Sequence, residues 1–509
     1  MTSFPRLESR APTRSSRLAL YTILIVAVCL RFWALNSQSF WLDELWTMEI
    51  ACGHDADHQL MPVDQILNQP PDLTSLASAM PVWQIWRGMD RVTGPPGYYI
   101  LMRLWMAIFG QTETSLRSPS VICSVLALII FFRAISVSIG REAALWAAAI
   151  FALAGPQIHA AQDARPYALL VLETAVAILL VMKISNESPT LRRSIALSTC
   201  LLCLMLTHYF AISVVIAIGG YGLFCTTGRT RKNILLCVAA ASVLFAGLWG
   251  PMMWRQIPMF STTDRAAAFL HDSAPDHFRQ TFWRLLTLPM SLLCDLRPIP
   301  KWFAIGALWY LLAVYLLMQR RLSPFWPILY LAVGGLLVSL DLAHSTAHLA
   351  YVRYAMLASL PVYGILSASV LSHRNIGRMI CACIVTFLIL YLPRAYSQSN
   401  EDFRSFGEAV SASTNQGDLI VFAGPAQTYS PQILYLAASY YSRPLPGPVL
   451  LIQTPAKTEL MAKLKTRQTI WLAADPTVLF ARDWLPGYHL VAGKSWPQVG
   501  SFLEMQRNP

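Results

Sequence analysis

The chain has 509 residues, 55% of them hydrophobic and only 13% charged, with a mean hydropathy of +0.47. That balance excludes an ordinary soluble globular protein and indicates a membrane protein of many spans. The net charge of +12 does not signal nucleic acid, because the basic residues collect in short segments between apolar runs, where they set membrane orientation.

The tail, residues 1–17, carries Arg6, Arg10, Arg14 and Arg17 and is expected in the cytoplasm. The first apolar run, 18–35, lacks a small-residue cleavage site and reads as a retained signal-anchor span. Residues 36–118 are rich in prolines and acids and form a large outer loop. Within it, 98–110 is apolar but short and interrupted by Arg103, which suits a helix lying in the interface. Further spans are expected at 119–139, 142–159, 166–184, 193–208, 210–227, 233–254, 302–319, 325–342, 354–371 and 376–394. A second large outer loop, 255–301, separates the earlier from the later spans. Basic residues mark every second connection: Arg133 and Arg141; Lys183, Arg192 and Arg193; Arg229, Arg231 and Lys232; Arg320 and Arg321; His373, Arg374 and Arg378. That alternation predicts about 11 transmembrane helices across 18–394, with the N-terminus inside and the C-terminus outside. Residues 395–509 differ in composition. The runs 418–423 and 469–474 read as buried strands, and 403–412 and 431–441 as helices, which predicts a small α/β outer domain. No GxGxxG or Walker lysine loop is present, so an activated substrate at this face has to arrive on a lipid.

Asp43 and Glu44 follow the first span in the run 39–46, among Trp41 and Trp46. Ionised groups avoid apolar interfaces unless they are needed there. The pair suits a catalytic base working on a lipid-borne substrate; as acids at a helix start, both residues also suit an N-terminal cap.

The predicted topology gathers other polar residues on the same side. They are His159, Gln162, Asp163, Arg165 and Tyr167; His208 and Tyr209; Asp264, Arg265, His271, Asp272 and His277; and Asp341, His344, His348, Arg353 and Tyr354. Asp163, His208, Tyr209 and His348 are candidates for the acceptor side of a pocket. Arg165 and Arg353 also fit arginines snorkelling at the membrane edge, and His208 a hydrogen-bonded structural histidine. His344 and His348 have the i, i+4 spacing that binds zinc on a helix, yet no HExxH glutamate lies between them, which favours a structural role. The ten cysteines show no CxxC or metal spacing and mostly sit in apolar runs; Cys52 and Cys294 fall in loops on one side and are candidates for pairing.

Taken in order, the acidic pair, the segment 94–99 (Gly-Pro-Pro-Gly-Tyr-Tyr), the segment 162–169 (Gln-Asp-Ala-Arg-Pro-Tyr-Ala-Leu) and Arg353-Tyr354 with Pro361 downstream resemble the GT-C glycosyltransferases. The likeness is to the bacterial relatives of dolichyl-phosphate-mannose protein mannosyltransferases, glycosyltransferase family 39, and to the lipid A aminoarabinose transferases. The resemblance implies a sugar carried on a polyprenyl monophosphate and transferred at the outer face of a bacterial inner membrane. It implies Asp43 as the base, with Glu44 beside it, and Arg165, Tyr167, Arg353 and Tyr354 facing the lipid phosphate. The family often has histidine where Gly94 stands, so that side chain's role is not carried over. Direct attack by an acceptor hydroxyl inverts the anomeric carbon and needs one carboxylate base. Two arginines can replace the metal that a diphosphate donor commonly needs, so metal-independent chemistry without a cofactor is expected. The acceptor, a glycan, lipid or protein, is not named by any residue. A transporter or lipid flippase is the alternative reading. It is disfavoured because no internal repeat is found and the polar residues cluster at span ends on one side.

Overall fold

The computed structural model describes residues 13–262, 276–295, 303–397, 400–425, 431–478 and 481–508. Asp264, Arg265, His271 and Asp272 lie outside them. The helices, in chain order, are α1 (Arg14–Phe32), α2 (Leu42–Ala51), α3 (Val82–Arg87), α4 (Gly97–Phe109), α5 (Glu113–Ser138), α6 (Arg141–Leu153), α7 (Gly155–Ala161), α8 (Tyr167–Glu187), α9 (Leu191–Thr207), α10 (Ile212–Cys225) and α11 (Gly228–Thr262). They continue with α12 (His277–Cys294), α13 (Phe303–Met318), α14 (Phe325–His344), α15 (Ser359–Ala368), α16 (Arg374–Ala395), α17 (Phe403–Ser413), α18 (Pro431–Tyr441), α19 (Thr458–Leu464) and α20 (Ala481–Trp484). The strands are β1 (Ile66–Leu67), β2 (Ile420–Ala423), β3 (Val449–Ile452), β4 (Thr469–Ala474), β5 (Tyr488–Trp496) and β6 (Gly500–Arg507). Short 3-10 turns flank several helices, including Tyr209–Ala211, His348–Ala350 and Val352–Ala358.

These elements form two compact units. One comprises Met1–Leu35 and Arg117–Gln398, the other Asn36–Leu116 and Ser399–Pro509. All eleven expected spans are helical. Among the described residues, seven helical segments are long and apolar enough to cross a membrane, and eight if the bent pair α6–α7 counts as one span. The α10 and α13 helices are apolar but shorter, and α9 has 17 residues.

Burial sorts the spans of the first unit. The segment 352–371 is 89% buried, whereas α1 is 11% and α16 17% buried. The first is a central helix wrapped by others; the other two turn apolar faces such as Leu18, Ile25 and Leu390 outward, as a lipid solvent allows. Where α6 gives way to α7 through a 61° bend, the helix ladder loses its partners. The fully buried Arg31 of α1 restores them: its guanidinium donates to the carbonyls of Phe151 (3.3 Å) and Ala152 (3.2 Å), while its Nε donates to Ser124 Oγ (2.7 Å). Gly306 of α13 lets that helix touch α12, since a Cβ there would sit 2.1 Å from the Leu286 carbonyl oxygen.

Part of the expected second large loop, 255–301, is therefore helical. The helix α11 runs on to Thr262, and α12 buries Thr287–Cys294 against α13, α14 and α15. Its polar first half (His277, Arg279, Gln280, Arg284) hides an apolar second half from any average over the segment.

The second unit carries a six-stranded sheet of order β1-β3-β2-β4-β6-β5. Strands β3, β2 and β4 are parallel, pairing Ile420 with Val449 and with Trp471. Parallel strands covered on both faces read as unbroken apolar runs, and β2 and β3 are buried throughout. One edge strand is β1, which comes from the first loop: Ile66 pairs antiparallel with Leu450. The segments 36–116 and 399–509 are stitched together elsewhere too. The Glu113 carboxylate accepts from Tyr441 Oη (2.5 Å) and pairs with Arg404, Tyr441 Oη accepts the Phe40 N–H (2.7 Å), and Tyr440 Oη donates to the Gln111 carbonyl (2.6 Å). The α/β domain expected at 395–509 is thus one compact unit with the first loop.

Candidate active site

Helix α2 carries the acidic pair on its first turn. Glu44 is fully buried, and its carboxylate accepts the Trp41 N–H (3.3 Å), a reciprocal cap at the helix start. Asp43, one residue earlier, is half-buried, and its carbonyl accepts from Thr47 Oγ1 (2.9 Å). A carboxylate at this position is favoured by the helix dipole. The far end of α2 is pinned by a buried relay. The Glu49 carboxylate accepts the His58 N–H (2.8 Å) and binds His58 Nδ1 (2.6 Å), and Trp46 Nε1 donates to His58 Nε2 (3.1 Å). With Nε2 accepting, the His58 proton sits on Nδ1 and points at Glu49. Sequence reading missed this relay, because Glu49 and His58 are nine residues apart and only the turn at Asp57–Leu60 brings them together.

The helical unit gathers a second set. Tyr167 opens α8, His208 and Tyr209 occupy the α9–α10 connection, and His348, Arg353 and Tyr354 lie on the short turns after α14. Phe210 joins them. Its ring centroid is 5.0 Å from His208, 5.5 Å from Tyr354 and 5.8 Å from His348; Tyr167 lies 5.9 Å from His208, and His348 lies 5.3 Å from Tyr354. The Arg353 guanidinium stacks over the rings of Tyr351 (5.5 Å) and Tyr354 (5.2 Å), which aims a planar fork of donors while leaving its charge in place. Arg165 acts on the same cluster. Burial first, and then the positive charge of Arg165, push the His208 imidazole down to about 4. Neutral His208 accepts the Phe210 N–H on Nδ1 (3.1 Å), so its proton sits on Nε2.

Not every expected residue joins this cluster. Tyr209 turns to α11, where its hydroxyl donates to Gln256 and accepts from Trp249 Nε1 (2.8 Å). Asp163 is half-buried, on the loop between α7 and α8. Its neighbour Gln162 ties that loop to the end of α1, donating to the Trp33 carbonyl (2.7 Å). His159, in α7, is held between Asp295 and the Ala395 carbonyl (2.7 Å). His344 ends α14 and Ser345 follows with φ of 50°, so His344 and His348 do not share a helix face. Cys52 and Cys294 are free thiols, as are the other eight cysteines. Among the described residues, no group of three or more His, Cys, Asp or Glu residues could hold a metal ion.

Residues 93–254 match the family model described as dolichyl-phosphate-mannose-protein mannosyltransferase. No curated protein matches the chain in sequence. Among solved structures, ArnT from Cupriavidus metallidurans bound to undecaprenyl phosphate is similar, with a TM-score of 0.58 and 11% identity, covering 97% of this chain and 98% of that one. The Archaeoglobus fulgidus oligosaccharyltransferase in complex with zinc and sulfate has a TM-score of 0.52 and 11% identity, covering 95% of this chain and 72% of that one. The archaeal oligosaccharyltransferase AglB from Archaeoglobus fulgidus, in complex with an inhibitory peptide and a dolichol-phosphate, gives 0.51 and 10%, covering 92% of this chain and 70% of that one. The chain is a membrane protein with the GT-C glycosyltransferase fold.

Proposed function

We propose that the chain is an inverting glycosyltransferase that moves a sugar from a polyprenyl-monophosphate carrier to an acceptor hydroxyl. The observation that carries this reading is the arginine–aromatic–histidine cluster of Arg353, Tyr354, His348, Phe210 and His208, acted on by Arg165. It lies in a fold shared with an ArnT structure that holds undecaprenyl phosphate. Cleaving a sugar–phosphate bond leaves a growing negative charge on phosphate oxygen, and arginine forks answer that charge with paired, charge-assisted hydrogen bonds. Asp43 takes the acceptor proton as its oxygen attacks the anomeric carbon. The buried Glu44 holds the start of the helix that carries it. Asp163 and Tyr209 belong to the acceptor side, and His208 and His348 line the pocket within the cluster.

The reaction runs without a metal, because guanidinium charge does the work on a monophosphate. The site and the unit built from 36–116 and 399–509 face the periplasm of a bacterial inner membrane, and the N-terminus is cytoplasmic. The test is the purified full chain in nanodiscs with polyprenyl-phosphate sugars and candidate glycan, lipid and peptide acceptors. The expected result is transfer with inverted anomeric configuration, unchanged by EDTA. Retained configuration, or lipid movement without transfer, would overturn the reading.

A further inference from the structure

The loop after α14 pairs His348 of the cluster with a carboxylate, Asp341, to which the chemistry above gives no role. Asp341, on the last turn of α14, has no exposed surface, and its carboxylate organises the following residues. One oxygen accepts from Thr346 Oγ1 (2.9 Å), the His348 N–H (2.7 Å) and His348 Nδ1 (2.9 Å); the other accepts the Leu349 N–H (3.1 Å). His277, at the start of α12, donates from Nε2 to the Asp341 carbonyl (2.8 Å), anchoring the turn from the opposite side. A carboxylate partner requires a donor, so His348 Nδ1 carries a proton. The His348 side chain keeps 16% of its surface exposed, and among the described residues its hydrogen bonds all run through Nδ1 and the main chain. Its Nε2 makes no hydrogen bond among the described residues, and the ring lies beside Tyr354, five residues before the stacked Arg353.

We propose that Asp341 and His348 form a proton-donating pair for the phosphate of the lipid carrier, which rests on the donor reading above. With Nδ1 fixed as a donor, Nε2 holds a proton only in the imidazolium, whose charge Asp341 balances, as a buried aspartate does for the histidine of a serine-protease triad. In the transfer step the bond between the anomeric carbon and phosphate oxygen breaks, and its electron pair stays on that oxygen. The acceptor oxygen forms the new bond to carbon and gives its proton to the Asp43 carboxylate. The Nε2 proton passes to the departing phosphate oxygen, leaving a hydrogen phosphate monoester and a neutral ring. Water then takes the proton from Asp43 and returns one to His348. His348 is a phosphate-contacting residue in this account, and Asp341 is its positioning residue.

The experiment measures binding of undecaprenyl phosphate and of uncharged undecaprenol to the full chain in nanodiscs, for the wild type, His348→Ala, His348→Gln and Asp341→Asn, together with the melting temperature of each. The wild type is expected to prefer the phosphate at least tenfold. His348→Ala loses about tenfold of that preference, the scale of one hydrogen bond to a charged group, with undecaprenol binding and melting temperature unchanged. His348→Gln, which keeps a neutral donor, recovers part of it, and Asp341→Asn falls between wild type and His348→Ala. A His348→Ala variant that melts normally and keeps the full preference would overturn the proposal while leaving the donor reading standing. Equal weakening toward both lipids would also overturn it, by marking a structural role. A wild type with no preference would remove the donor reading itself.

Discussion

At the scale of single residues, environment separates groups that look alike in the sequence. Glu44 is sealed and spent on a backbone N–H, while its neighbour Asp43 keeps exposed surface, so the two acids divide into a cap and a candidate base. Two arginines divide as well. Arg353 stacks on tyrosines within the histidine cluster, whereas Arg378 pairs with Glu142 (2.5 Å) on an exposed edge. Arg353→Ala is expected to cut kcat/KM for the lipid donor about 100-fold or more. Arg378→Ala is expected to stay within about twofold, since exposed ion pairs contribute little. Equal losses in a steady-state donor titration would remove Arg353 from the phosphate role. His208 gives a pH test. Its ordinary value is 6.5 and its folded value about 4, so between these the unfolded chain binds more protons than the folded one. Its contribution to stability is complete above about 6.5 and is lost as pH falls toward 4. Thermal unfolding from pH 7 to 4 should show a steeper loss for wild type than for His208→Asn, and parallel curves would contradict the assignment.

At the scale of elements, much was legible and the exceptions have physical reasons. The long apolar runs marked a helix wherever a span was expected, because a helix satisfies its own backbone in lipid, although α5 begins at Glu113 and α11 runs on to Thr262, beyond the expected bounds. The buried strands at 420–423 and 469–474 were readable as continuous apolar runs. The two-residue strand β1 was not, for Ile66-Leu67 has no pattern of its own and becomes a strand only by pairing with β3. Helix α12 was hidden by its polar N-terminal half. The site was legible as residue types on one predicted side. What the sequence withheld were the side-chain partners that fix it, Glu49 with His58 and Asp341 with His348, since those depend on turns. The first pair yields a prediction at this scale. Glu49→Gln puts an amide NH2, which cannot accept, in place of one of the two carboxylate oxygens that take the His58 donors, and should destabilise the unit containing α2 by about 1–3 kcal/mol. Hydrogen exchange over residues 42–60 should rise several-fold, and unchanged protection would show that the relay does not hold α2.

At the scale of the whole molecule, the chain combines an apolar helical unit with a mixed unit that draws on two distant stretches of the sequence, 36–116 and 399–509. The first loop and the C-terminal residues fold together, so they belong on one side of the membrane. Membrane-impermeant labelling of single cysteines placed at exposed His489 and at Gln59 should therefore mark both from one side, which is the periplasm in the proposed orientation, and neither from the other. Opposite accessibility of the two positions would contradict the compact unit. Whether Asp43 draws the proton from the acceptor is decided by single-turnover transfer from a radiolabelled polyprenyl-phosphate sugar in nanodiscs, comparing wild type with Asp43→Asn. The variant is expected to bind the donor lipid normally while its chemical step slows by about 100- to 10,000-fold. A variant that transfers sugar at the wild-type rate would contradict it.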